Sequence, residues 1–296
     1  MLFLSAAEIA ALWGVSERSV RNYCAQGRVP GAFLTGKTWS IPADANKPAR
    51  SNARVVEKSP LLSRLREEKA TGTKGGIYHK VQVELTYNSN HIEGSRLSLD
   101  QTRLIFETAT VGADDEPIRV DDILEAHNHF RAVDYIIDQA TSPLSEGIIK
   151  ALHRILKTGT TDSAKDWFTV GEYKRLPNEV GGRATTLPED VSKEMKALLK
   201  AYGPIAHHSF EDIIDFHVRF ERIHPFQDGN GRVGRLIMFK ECLANGVAPF
   251  IITDDMKAFY HRGLAEWDSE KSYLTDTCLA AQDGFKASLD YFRITY

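Results

Sequence analysis

His224-Pro225-Phe226-Gln227-Asp228-Gly229-Asn230-Gly231-Arg232-Val233-Gly234-Arg235 places a base, a carboxylate, a glycine-rich turn and two guanidiniums in one unbroken run. Upstream of it, Phe210, Ile213, Ile214, Phe216, Val218, Phe220 and Ile223 recur at helical spacing, so a buried helix runs into the motif. Pro225 disfavours helical geometry at the preceding residue, which leaves the His224 imidazole at a helix end. Gly229 and Gly231 flank Asn230, and glycine's freedom at positive φ lets successive N–H groups turn towards one point, a nest for an anion. Downstream, Val233, Leu236, Ile237, Phe239 and Leu243 keep a helical period from Arg232 to Asn245, and Gly246 supplies the stop. The nest therefore opens a helix, where free N–H groups and the positive end of the dipole favour phosphate.

Each part of in-line nucleotidyl transfer has a candidate in the run. Arg232 and Arg235, three apart on that helix, share a side and can grip the outer phosphates of a nucleotide. Asp228 is a hard oxygen ligand suited to a Mg²⁺ that keeps its waters and bridges phosphate oxygens. His224, with an ordinary pKa of about 6.5, can take a proton from an incoming hydroxyl near neutral pH. Taken singly, a His before Pro, two helical Arg residues and a Gly-Asn-Gly turn are ordinary structural features. Their joint occurrence is what points to chemistry.

The run resembles, at every defined position, the motif of Fic-domain proteins, His-Pro-Phe-x-Asp/Glu-Gly-Asn-Gly-Arg-x-x-Arg. The resemblance implies a mainly α fold, a helical-bundle core with a small β-hairpin flap. It also implies transfer of AMP from ATP, with Mg²⁺, onto a Ser, Thr or Tyr hydroxyl of a target protein or of the chain itself. By position, His224 is then the base and Asp228 the metal ligand. Gly229, Asn230 and Gly231 form the anion hole, with Arg232 and Arg235 on the outer phosphates. Gly234 and Tyr260 fall on the nucleotide side, whereas Asp268 stands near where many members carry Asn. Leu152-His153-Arg154-Ile155-Leu156 resembles the helix that precedes the flap. Gly171-Glu172-Tyr173-Lys174 and Glu179-Val180-Gly181-Gly182-Arg183 resemble the flap, which would hold the target segment by strand addition. Val180, Gly181, Gly182 and Arg183 are therefore candidate site residues.

Ser89-Asn90-His91-Ile92-Glu93-Gly94 resembles the inhibitory helix of the family, about residues 86–94, in its class N-terminal to the core motif. A Glu93 carboxylate paired with Arg235 would occupy the fork needed by the γ-phosphate and repel that phosphate. Ser89, four residues earlier, is placed to orient Glu93 from the same helical side.

At the amino-terminal end, Ser5-Ala6-Ala7-Glu8 is a capping-box pattern and Gly14-Val15-Ser16 a tight turn with a second cap. A second helix from about Glu17 to Gln26 presents Arg18, Ser19, Arg21 and Asn22, and Ala32 to Ile41 reads as a hairpin carrying Lys37 near Gly36. Residues 1–45 resemble the winged helix-turn-helix of excisionase and MerR-like proteins, which implies DNA as a partner. Through Arg50 the chain holds six Lys or Arg against three Asp or Glu, a net of plus three, and the whole carries −3, which leaves minus six for the rest. That asymmetry suits a local phosphate-backbone contact, and equally a module that packs against protein.

Residues 46–60, with scattered Pro, Asn and charge, read as a linker, and 61–296 as the Fic domain. Helices are expected over Val81 to Asn90, Leu99 to Thr108, Val120 to Gln139, Glu146 to Lys157 and Val191 to Tyr202, besides the pair at the motif. Cys24, Cys242 and Cys278 lack metal or disulfide spacing, and the histidines show no H-E-x-x-H pattern. No apolar run reaches the roughly 20 residues of a membrane helix, so a cytoplasmic protein without a membrane partner is expected. Three functions remain open on these residues: autoinhibited adenylyl transfer, removal of AMP by the same site, and a DNA-binding regulator whose Fic domain senses nucleotide. Oligomeric state is open as well.

Overall fold

Ser5, Ser98 and Ser209 each accept a bond from the N–H three residues on, while Glu8, Gln101 and Asp212 reach back to the cap amide. These capping boxes fix three helix starts. The structure is a computed structural model that describes residues 2–25, 29–36, 38–48, 59–112, 117–203 and 207–296. The chain divides into two units, Met1–Arg54 and Val55–Tyr296.

The first unit contains β1 (Phe3–Leu4), α1 (Ala6–Trp13), α2 (Glu17–Ala25), β2 (Phe33–Thr35) and β3 (Thr38–Pro42). Gly14, left-handed at φ 62°, ends α1 as the expected turn. The expected hairpin is β2–β3, with Phe33 opposite Ser40, and β1 adds an unexpected third strand with Phe3 opposite Pro42. Ile9, Val20, Cys24 and Ile41 are buried between helices and sheet. Trp13 Nε1 donates to the Ala45 carbonyl at 3.2 Å and Lys47 Nζ to the Trp13 carbonyl at 2.9 Å, so this unit runs past the expected boundary at Ala45. Of the expected linker, residues 49–58 lie outside the described residues, as do Gln26 and Lys37.

The second unit is helical: α3 (Pro60–Thr71), α4 (Ile77–Ile92), α5 (Leu99–Thr108), α6 (Val120–Asp138), α7 (Glu146–Lys157), α8 (Pro188–Tyr202), α9 (Phe210–Ile223), α10 (Asn230–Asn245), α11 (Lys257–Glu266) and α12 (Ser272–Tyr291). Between α7 and α8 lies a hairpin of β4 (Glu179–Val180) and β5 (Arg183–Ala184). Helix α10 is buried on all sides and packs against α4, α6, α7 and α9, which makes it the axis of the bundle. It starts at Asn230, two residues before the sequence expectation, and its interior charges are paired, as Lys240 with Glu241. Helix α12 was not expected. Its inward positions include Cys278 and Ala281 between Leu274 and Phe285, too small to mark an apolar stripe by themselves. The three cysteines are buried and unbridged. Among the described residues no helix is long and apolar enough to cross a membrane.

Candidate functional site

Helix α9 stops at Ile223, and His224 caps it in the left-handed region at φ 48°, its N–H bonded to the Phe220 carbonyl at 2.9 Å. The following proline forbids another helical turn. His224 Nδ1 lies 3.3 Å from the Glu221 carbonyl oxygen. A carbonyl only accepts, so Nδ1 carries the proton and Nε2 is left as the acceptor. Burial pushes the imidazole pKa down to about 4, which keeps the ring neutral at pH 7. The Glu221 carboxyl sits 3.9 Å from Nδ1 and is pushed up to about 8 by burial, so it is largely protonated at neutral pH.

The loop after His224 is tied internally. Phe226 N–H donates to Asn230 Oδ1 and Asn230 Nδ2 donates to the Phe226 carbonyl, both at 2.8 Å. The side chain of Asn230 is thus spent on the loop, and only its amide faces outward as an anion donor. Gly229 takes the expected positive φ, 79°, whereas Gly231 is helical. The intrahelical bonds of α10 begin with Val233 N–H to the Gly229 carbonyl. The amides of Asn230, Gly231 and Arg232 precede that bond and are the first-turn donors that helix geometry leaves for a ligand.

Helix α7, whose Leu152–Leu156 stretch the sequence placed before the flap without giving it a task at the site, supports the loop. His153 stacks on Phe226 with ring centroids 4.0 Å apart and planes 1° apart. Its Nδ1 accepts the Gly171 N–H at 2.8 Å, so its Nε2 holds the proton and donates to the Asp228 carbonyl at 3.2 Å. Burial takes its pKa down to about 3. Lys157, 2% exposed, bonds Asp228 Oδ2 at 2.6 Å and Glu125 Oε1 at 2.7 Å. Arg232 reaches the same Asp228 Oδ2 at 3.2 Å and Glu125 Oε2 at 2.5 Å. Burial opposes the Asp228 charge, but Arg232 and Lys157 outweigh it and hold the carboxyl well below the usual range. The carboxylate keeps 45% of its surface, and neither cation bonds Oδ1. That fits one-oxygen ligation of Mg²⁺, with water and phosphate completing the shell.

The two arginines diverge. Arg235 is buried, and its Nε donates to Ser89 Oγ at 3.0 Å while Nη2 donates to the Ser89 carbonyl at 2.8 Å and to Glu93 Oε1 at 2.7 Å. Ser89 therefore orients the guanidinium and not, as expected, Glu93. Glu93 itself is the cap residue just past α4. Burial opposes its ionisation, but Arg235 and Arg232 prevail and its pKa is lowered. A Cβ on Gly231 would collide with the Glu93 carboxylate and lie 2.9 Å from Arg235 Nη1. Glycine is needed here for space and not for its dihedral range. Gly234 likewise lets His217 and Glu221 approach, since a Cβ would sit 2.7 and 2.6 Å from them.

A cavity of about 720 Å³ collects Glu93, Glu221, His224, Gly231, Arg235 and Tyr260 on its wall. Val180, Gly181 and Arg183 of the flap line it too. Gly181 and Gly182, at φ 56° and 75°, form the two-residue turn that such a hairpin demands. Arg183 Nη1 donates to the Ala265 carbonyl at 2.7 Å. The hairpin base is anchored to the loop by Lys174 N–H to the Pro225 carbonyl at 2.9 Å and by Lys174 Nζ to Thr185 Oγ1 at 2.6 Å. Tyr260 is on the cavity wall, and its hydroxyl is bonded to His217 Nε2 at 2.6 Å. His217 thus acts through Tyr260. Asp268, also on the wall, is held by Arg222 Nη1 at 2.9 Å.

In the first unit, Arg18, Arg21 and Asn22 are exposed on α2, Arg21 bonding Glu17, whereas Ser19 is half-buried with its Oγ 2.9 Å from Ser16 Oγ. The fifth candidate, Lys37, lies outside the described residues.

Residues 143–242 match the Fic/DOC family, a segment that holds the whole loop and α7 but neither Glu93 nor Tyr260. The chain is 29% identical over 170 residues to a protein of Nematostella vectensis named protein adenylyltransferase Fic, covering 56% of this chain and 38% of that one. It is 27% identical over 216 residues to the protein of the same name in Drosophila grimshawi, 70% of this chain and 42% of that one. The chain thus spans about two fifths of the length of these relatives. A Fic domain containing signaling protein of Bacteroides thetaiotaomicron superposes with a TM-score of 0.61 at 25% identity, over 77% of this chain and 94% of that one. Fic-1 of C. elegans superposes with 0.59 at 20% identity, over 80% and 72%, a likeness of fold. The segment that carries His224 and its loop matches the Fic/DOC family, and the helical unit around it is similar in fold to a solved Fic-domain protein.

Proposed function

We propose that this chain is a protein adenylyltransferase of the Fic type, silenced by its own Glu93. It would transfer AMP from ATP to a Ser, Thr or Tyr hydroxyl of a target protein or of itself. The observation that carries this reading is the placement of His224, neutral and with Nε2 open, on one cavity wall with Gly231 and Arg235 of the first α10 turns. In the reaction the target hydroxyl attacks the α-phosphorus, its proton passes to His224 Nε2, and pyrophosphate leaves. The first-turn amides of α10 take the phosphate charge, and Arg235 the terminal phosphate once Glu93 has left it. Asp228 would hold a Mg²⁺, which would supply positive charge to the phosphates. The flap edge would receive the target segment through backbone bonds.

Silencing would follow from the Glu93–Arg235 pair, because the carboxylate holds one arm of the guanidinium and lies against Gly231. The intact mass of Glu93→Gly protein after incubation with ATP and Mg²⁺ tests the reading. A gain of one AMP, absent when His224→Ala is added, supports it, and no gain with any candidate acceptor counts against it.

Glu93 on the cavity wall also suits alignment of a water for removal of AMP, a second reading tested by AMP release from a modified protein. The amino-terminal unit, with Arg18, Arg21 and Asn22 on the open face of α2, is proposed as a winged helix-turn-helix that contacts DNA. Were the Fic domain only a nucleotide sensor for that module, His224→Ala would leave regulation intact.

A further inference from the structure

Lys157 is a buried ammonium in direct contact with the carboxylate that the proposed function assigns to the metal. Side chains converge there from three elements: Glu125 of α6, Lys157 of α7, and Asp228 with Arg232 at the start of α10. Asp162, 3.6 Å from Lys157 Nζ, completes the group. Two cations thus share Asp228 Oδ2, and Glu125 grips both from the far side and prevents either from swinging away. The carboxylate is fixed in orientation, and its charge is already answered before any ligand arrives.

A divalent cation approaching Oδ1 meets an acid whose pull Lys157 and Arg232 weaken from bonding distance, although Glu125 and Asp162 leave the cluster as a whole with three negative charges to two positive. A cation already bound to the phosphates of a nucleotide arrives with negative charge around it, which those same two groups attract. We infer that Lys157 is a positioning residue that denies Asp228 to free divalent cation and makes metal uptake conditional on nucleotide. The inference rests on the reading of Asp228 as the metal ligand.

Binding of Mn²⁺ to the full chain, followed by the electron paramagnetic resonance of the free ion, tests it without recourse to activity. Lys157→Met removes the charge and keeps the stem. Without nucleotide it should bind Mn²⁺ about tenfold more tightly than the parent chain, and adding Asp228→Asn should erase the gain. Lys157→Arg keeps the charge and should remain as weak as the parent, which also controls for folding of the cluster. Equal Mn²⁺ binding by Lys157→Met and parent would overturn the inference. In the Glu93→Gly background with a non-hydrolysable ATP analogue, Mn²⁺ binding that Asp228→Asn abolishes would show that the metal assignment itself stands. Binding indifferent to Asp228 there would remove both. AMP transfer measured beside it separates failure of the metal assignment from failure of the proposed activity.

Discussion

Arg235 and Glu93 meet at 2.7 Å across 142 residues of chain, joining the axial helix α10 to the residue that ends α4. Ser89 fixes the same guanidinium from α4 with two more bonds. Glu93→Gly should therefore free the fork without collapsing it. We expect AMP incorporation from radiolabelled ATP to rise at least about tenfold over the parent chain, the effect of releasing a coupling of ~1.4 kcal/mol or more. Equal labelling by both proteins would remove autoinhibition from the account.

Gly231→Ala tests the same contact from the other side. Its methyl group would press on the Glu93 carboxylate and on Arg235, so thermal unfolding should show a loss of about 1–3 kcal/mol, the range for overpacking. In the Glu93→Gly background the loss should shrink, giving a coupling energy in a double-mutant cycle. Additive losses would mean that the carboxylate does not lie against this helix.

The pH profile of the unlocked Glu93→Gly protein should reflect His224. Burial lowers its pKa to about 4, so the base is neutral, and competent, above that value. Transfer should be level between about pH 5 and 7 and fall as pH drops through 4. A profile halved near pH 6.5 would show a solvated imidazole instead.

Three histidines make the fold itself acid-sensitive. His129, His153 and His217 are buried neutral, each with a pKa of about 3. Their unfolded counterparts titrate near 6.5, so between those values the unfolded chain binds more protons. Stability from them is complete above about pH 6.5 and declines as pH falls towards 3, by ~1.4 kcal/mol per pH unit for each histidine. Denaturant midpoints measured from pH 7 to 4 check the slope. His153→Ala, which also orphans the Gly171 N–H and the face of Phe226, should cost ~3 kcal/mol and lower the slope by the ~1.4 kcal/mol per pH unit that one buried histidine contributes.

Deleting residues 1–45 should abolish any salt-dependent retention on DNA, if α2 supplies phosphate contacts through Arg18 and Arg21. A full-length chain that passes through a DNA column at low salt would end that proposal.

The parts of the site that lie in one continuous run were legible, because helix end, glycine turn and helix start follow from local geometry. The pairing of Glu93 with Arg235 was legible as well, through a short pattern whose meaning depended on the rest of the chain. What escaped was the support: His153 was legible as part of a helix but not as a prop, Lys157 and His153 reach Asp228 across 71 and 75 residues, and nothing in Lys157's neighbourhood in sequence marks it as buried. The partner of Ser89 and the reason for glycine at position 231 were misread for a related reason. A side chain's direction on α4 and the clearance beside α10 are set by packing, and spacing along one helix does not encode them. Strand β1 is two residues long, too short for an alternating pattern to show.

Asn230 and Phe226 join their amide groups as two facing residues of a sheet would, closing the loop into a small ring. A ring of that kind has little freedom to lose when a triphosphate arrives. Association can then be fast and cheap in ordering entropy, with discrimination left to the parts around it, the hairpin and the Glu93 side chain.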